Sequence, residues 1–256
     1  AVLGAAFSPP TECRVTVLPV QEAPLIDGDL SDACWLSAVS LTPFVAEGGA
    51  ARPQNQTICR LAWDERALYA SFLCESASGA PVTRVSQRDA PEALGDDCVS
   101  LVLLPPGADN PAQIAVTAKN VIYDAVGFAD PSVWDAPSTK SAVATTVRGW
   151  QAELEIAWAD LGVVPTAEAP WRVGALRFER AARERSAWPY MRRAPYEAWR
   201  LAEARFVKEG LAVCEVRVED GLGDLSRPAG ATLRVRNRSG ESVRARAKAW
   251  VAPPVL

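Results

Sequence analysis

The sequence predicts an all-β protein: a two-sheet, mostly antiparallel, jelly-roll-like sandwich with a β-hairpin extension at its C-terminal end. Three observations lead there. Short apolar runs recur along the chain, turn residues separate them at fairly regular spacing, and helical signals never exceed one or two turns. The 256 residues are enough for one large β-domain, or for one of ordinary size with a smaller appendage.

The first run, residues 14–20, alternates apolar and polar as a half-buried strand should. Residues 57–63 and 68–74 are two more runs, joined by the polar turn Asp64-Glu65-Arg66-Ala67, which reads as a hairpin. Residues 98–104 are nearly all apolar and end at Pro105-Pro106, a central strand stopped by proline. Residues 112–118, 122–126, 142–148, 150–157 and 172–180 supply the remaining strands. Residues 29–35 read as one or two helical turns capped by Asp29 or Ser31, and residues 157–161 as a single turn ended by Gly162.

Composition narrows the function. At 49% hydrophobic and 23% charged residues the chain is globular rather than disordered. A formal net charge of −4 gives no global electrostatic case for nucleic acid, and no apolar run is long enough to span a bilayer. With no histidine, the chain excludes Ser-His-Asp and Cys-His catalysis and histidine metal ligation. Six scattered cysteines without a C-x-x-C pair argue against zinc or iron–sulfur sites. Their even number suits either an exported, disulfide-bonded protein or buried free thiols in a reducing compartment. Cys13 and Cys214 flank the main domain and form the expected disulfide if its first and last strands are neighbours. The sequence opens at Ala1 with an apolar stretch to Phe7, read as the tail of a trimmed signal peptide or anchor, or as a mere boundary of the sequence.

Residues 1–213 form the expected sandwich, and residues 214–256 an extension or the start of a further Ig-like domain. Within it, residues 231–251 hold two alternating stretches joined at Asn237-Arg238-Ser239-Gly240. Period two puts Arg234, Arg236, Arg244, Arg246 and Lys248 on one face. Residues 228–256 carry six Lys/Arg against Glu241 alone, +5, which leaves −9 on residues 1–227. That face is either solvated or docks on an acidic protein, a phosphate-bearing lipid or lipopolysaccharide.

Five segments in order resemble family 9 carbohydrate-binding modules. Ile26-Asp27-Gly28-Asp29 followed by Trp35 is similar to the family opening, and Trp63-Asp64-Glu65-Arg66-Ala67-Leu68-Tyr69 to its hairpin. Arg88-Asp89 and Asp96-Asp97-Cys98-Val99 look like its signals before a central strand. Gly149-Trp150-Gln151-Ala152-Glu153, then Ile156-Ala157-Trp158 and Leu161-Gly162, resemble a further segment, and Arg180 with Trp188 the close. Most of these residues also have structural uses: Gly28 for a tight turn, Asp27 and Asp64 as turn acceptors, and Trp35, Trp63, Trp150 and Trp158 as core anchors. The Asp96-Asp97 pair does not suit glycoside hydrolysis, because adjacent strand residues point to opposite faces.

The resemblance implies a non-catalytic sugar-binding domain, exported to the periplasm, the cell surface or the medium. Family members clamp a sugar between two tryptophans and hydrogen-bond its hydroxyls from an inner strand. By position Trp199 corresponds to the second tryptophan and Gln113 to the polar strand residue. The first tryptophan is missing, because residues 90–95 offer only Leu94, and Ala115 replaces an arginine that usually follows the glutamine. Trp134, Trp188 and Tyr190, with Arg88, are the other candidates for ligand contact. The fold is also related to haem-binding DOMON domains, but haem needs axial ligands and the chain offers one methionine, Met191. No cofactor is expected, and nothing in the sequence supports calcium. Two function classes follow: a polysaccharide- or glycan-binding module, and an accessory subunit of a larger envelope complex that uses the sandwich as a scaffold.

Overall fold

The computed structural model describes residues 13–47, 53–77, 80–127, 134–191, 200–218 and 231–242. Two sheets face each other. The larger runs β1 (Arg14–Val17), β13 (Ala202–Phe206), β11 (Trp171–Glu179), β6 (Cys98–Leu104), β7 (Ala112–Thr117) and β8 (Ile122–Val126), with β12 (Glu184–Trp188) on β11 and β3 (Val45–Ala46) on β12. The smaller runs β2 (Val39–Leu41), β4 (Thr57–Trp63), β5 (Ala67–Glu75), β10 (Gly149–Ala157) and β9 (Lys140–Thr146). Among the described residues all strand pairs are antiparallel except β1 with β13. Among the described residues the helical elements are two 3-10 turns, Ala33–Leu36 and Pro91–Gly95, and one four-residue helix α1 (Trp158–Leu161).

Alternation along each strand fills the space between the sheets. Val99, Leu101 and Leu103 of β6 meet Phe72, Leu154 and Ile156 from the other sheet in one core. Trp63, Trp158, Trp171 and Phe206 cluster at one end, with ring centroids 5.6–5.9 Å apart. All four tryptophans named as core anchors are buried. The indoles of Trp63 and Trp158 donate to the carbonyls of Val17 and Asp64, so each ring also fixes backbone.

Carboxylates tie down segments that lack a ladder. Glu153 on β10 accepts from the Trp35 indole (2.7 Å), the Gly28 amide (2.9 Å) and the Asp27 amide (3.2 Å), binding the segment before β2 over the smaller sheet. Gly28 has φ +89°, and a Cβ there would sit 3.0 Å from the backbone of Val143. Asp64 Oδ1 accepts from the amides of Arg66 and Ala67, and Oδ2 from the Tyr69 hydroxyl, closing the β4–β5 turn. Asp96 holds the amides of Arg84 and Val85, while Asp97 holds those of Val82 and Arg180. Both aspartates are thereby used as loop tethers.

The helical turn expected at residues 29–35 starts later, at Ala33, and has no side-chain cap bond. Among the strands not expected from the sequence, β2 and β3, at three and two residues, are too short to show a period.

The expected Cys13–Cys214 disulfide is overturned. All six cysteines are free thiols. Cys13 precedes β1, whose partner is β13, and its carbonyl accepts from Glu203. Cys214 lies on β14 (Leu211–Val218), which pairs with β15 (Ala231–Asn237), and its Sγ donates to the Ser37 carbonyl at 3.2 Å. The first and last strands of the sandwich are parallel neighbours, but Cys214 belongs to neither of them.

Strand β14 spans both sides of the boundary drawn after Val213. Ala212 and Cys214 sit in the main core, and the Ser40 hydroxyl donates to the Cys214 carbonyl at 2.5 Å. Arg236 and Arg238 turn toward the sandwich, donating to the carbonyls of Ser37 (3.4 Å) and Pro19 (3.0 Å). The opposite face is apolar and open, with Val213, Leu233 and Val235 36%, 41% and 43% exposed. Arg244, Arg246 and the second strand of the expected hairpin lie outside the described residues.

Candidate functional site

Gln113, the polar strand residue of the expected sugar site, lies on the outer face of the larger sheet. Strand register puts Leu176, Ser100, Ala115 and Tyr123 side by side across β11, β6, β7 and β8, and Gly174, Val102, Gln113 and Ala125 in the next row. Alternation sends these side chains away from the core. In the centre the Gln113 side-chain amide donates to the Ser100 hydroxyl at 3.2 Å, a polar pair on an otherwise apolar surface.

Two segments roof this face. On one side Met191 and Leu201 pack with Val102, Leu176 and Ala187. A Cβ on Gly174 would meet Leu201 Cδ2 at 2.6 Å and Met191 Cε at 2.7 Å, so glycine lets the roof lie directly on β11. On the other side the Pro91–Gly95 turn and Val85 pack against Ala115, Tyr123 and Ala125. Gln113 and Ser100 are each left 4% exposed between them.

The six candidates do not form one cluster among the described residues. Trp188 is 8% exposed and packs in the core between the sheets. Tyr190 is half-buried beside the roofing Met191, with the Arg200 guanidinium 5.7 Å from its ring centroid. Trp134 is half-buried and packs against the main core. Trp199 lies outside the described residues. Arg88 lies at the β8 edge, where it pairs with Asp124 (2.5 Å) and Asp135 (3.1 Å) and donates to the Ala136 carbonyl. Asp124 lies opposite Ile114 and alternates with Tyr123 and Ala125, so it points inward, away from the Gln113 face. Sequence reasoning missed Ser100, although a serine inside the otherwise apolar run 98–104 was a visible signal.

Asp89, Asp124 and Asp135 bring one carboxylate oxygen each within 4.8 Å of one another, a spacing that suits a divalent cation. Here Arg88 pairs with all three and supplies one positive charge against them. Burial pushes the Asp124 carboxyl up to about 6, against the opposing pull of the Ala136 amide and Arg88. Met191 is 1% exposed and serves as roof packing.

No protein-family model matches the sequence, and no curated protein matches it. Solved structures do. A family 9 carbohydrate-binding module from Caldicellulosiruptor kristjanssonii in complex with cellotriose is 18% identical, with a TM-score of 0.56, over 77% of this chain and 95% of that one. The glucose complex of a family 9 module from the same organism gives 17% and 0.55, over 77% and 97%. A Bacteroides uniformis structure proposed to be carbohydrate-binding gives 11% and 0.58, over 76% and 99%. This chain therefore has the β-sandwich fold of family 9 carbohydrate-binding modules.

Proposed function

We propose that the chain is a non-catalytic carbohydrate- or glycan-binding module of an exported protein, acting in the periplasm, at the cell surface or in the medium with its cysteines unpaired, kept inert there by burial rather than by disulfides. The observation that supports this most is the Gln113–Ser100 pair, at the centre of a sheet face in a fold otherwise known from cellotriose and glucose complexes. In this reading Gln113 hydrogen-bonds sugar hydroxyls, exchanging its bond to Ser100 for one to the ligand. Trp199 stacks on the pyranose. Leu94 stands where a second ring would close the clamp, so affinity is weak, nearer millimolar than micromolar, or roughly −4 rather than −8 kcal/mol. Affinity electrophoresis against plant, fungal and bacterial polysaccharides tests it. Retention is expected, and Trp199→Ala should abolish it without moving the denaturation midpoint. No retention on any polysaccharide refutes the sugar reading.

A second reading, an accessory subunit, is favoured by the roof over Gln113 and by the open apolar strip of Val213, Leu233 and Val235. A protein partner would cover that strip or meet the basic residues Arg234, Arg236, Arg244 and Arg246. Failure on every polysaccharide, together with recovery of a specific partner that Leu233→Asp releases, would establish it.

A further inference from the structure

A groove of about 450 Å³ lies beside the β4–β5 turn, with Pro19, Trp63, Glu65, Arg66, Lys208 and Arg238 in its lining. It is formed by the β4–β5 turn, the segment after β1, the β13–β14 connection and the end of β15. Two contacts fix its far wall: the Arg238 amide donates to the Gly210 carbonyl at 2.8 Å, and its guanidinium to Pro19 at 3.0 Å. An open groove of this volume has room for one sugar-sized ligand lying against its wall.

Its charges come from separate segments. Asp64 is committed to the turn, where it accepts two amides and the Tyr69 hydroxyl. Arg66 is 72% exposed and holds only two long contacts, to Asp64 at 3.5 Å and to the Tyr69 hydroxyl at 3.4 Å. Lys208 is exposed and has no ion pair or hydrogen bond among the described residues, and Arg238 has no carboxylate partner there. Glu65 is the one acidic group in the groove without a partner among the described residues. Three cations beside one uncommitted carboxylate suit a ligand that carries an anionic group together with hydroxyl donors. A bare oxyanion would satisfy the cations and leave Glu65 repelled.

We propose that this groove is a second ligand site and takes a hexuronate residue of an acidic glycan, the sugar carboxylate on Lys208, Arg66 and Arg238 and a hydroxyl donating to Glu65. The proposal does not depend on the Gln113 face. Calorimetric titration of the full chain with trigalacturonate, and separately with inorganic phosphate, tests it. Saturable binding to trigalacturonate is expected at low salt. It should weaken about fivefold in Lys208→Ser and again in Lys208→Ser with Arg66→Ser. Raising salt to roughly 0.3 M should abolish most of it, and Glu65→Gln should weaken it too. Phosphate should bind at least tenfold more weakly. Both cations are exposed, so an unchanged denaturation midpoint verifies that the variants fold. Absence of saturation overturns the proposal, as does undiminished affinity in the double variant. Phosphate binding as tightly as trigalacturonate overturns the glycan assignment.

Discussion

Removing the Glu153 carboxylate should cost more stability than any ordinary surface change. The carboxylate serves three donors: the Trp35 indole at 2.7 Å, the Gly28 amide at 2.9 Å and the Asp27 amide at 3.2 Å. Trp35 and Gly28 are buried, whereas Asp27 is exposed and water can replace its lost acceptor. Glu153→Ala thus strands two buried donors, each costing about 1–3 kcal/mol, for a total of about 2–6 kcal/mol. That is a large share of a typical domain stability. Glu153→Gln keeps one acceptor oxygen and the side-chain volume. Its NH2 faces one of the two buried donors and strands it, while loss of a carboxylate whose pKa burial raises offsets part of that cost, so the expected loss is about half as great. Urea denaturation followed by tryptophan fluorescence measures both, with Trp35 directly beside the change. A Glu153→Ala variant within about 0.5 kcal/mol of the parent would refute the clasp.

Two further outcomes follow from titratable groups. Asp124 holds its proton more tightly folded than unfolded, with its carboxyl at about 6 against an ordinary 3.8, so it favours folding below about pH 4 and that advantage is lost as pH rises through 6. The stability of the parent relative to Asp124→Asn should therefore fall by at most about 3 kcal/mol between pH 4 and 7, and a difference flat with pH refutes it. Burial raises every cysteine thiol, with Cys34, Cys74 and Cys98 pushed up to about 12. Titration of unreduced protein should give six thiols after denaturation, and native alkylation should be slower on the order of 100-fold. Fewer than six thiols would restore a disulfide.

The strands with long runs, such as Thr57–Trp63 and Cys98–Leu104, were legible because burial of one or both faces imposes a period on the sequence. The resemblance of Gly28, Trp35 and Glu153 to a family motif was legible too, and the structure gives the reason: they form one hydrogen-bonded clasp. What the sequence hid was side-chain destination. Trp188 and Tyr190 are two residues apart, yet one ring fills the core and the other lies half-buried beside the roof. Only the path of the chain across β11 decides that. The Cys13–Cys214 inference failed for a similar reason, since pairing depends on which strands adjoin rather than on which ones end the domain. Arg234 and Arg236 alternate along β15, but hydrogen bonding of Arg236 to Ser37 and of Arg238 to Pro19 turns the basic side inward, and nothing in an alternating pattern specifies which side meets the sandwich.

The passage of β14 from the core into the terminal two-stranded sheet sets where this protein can be cut or grafted. A chain ended at Val213 would lose Cys214 from the core and leave the Ser40 hydroxyl without its acceptor, while the ribbon released would keep neither anchor for Arg236 nor for Arg238. The seam between sandwich and extension is a shared strand, so an expression boundary or fusion joint placed there severs two folding units at once. A joint placed ahead of β1, or in the polar Asn237–Glu241 turn, leaves that shared strand whole.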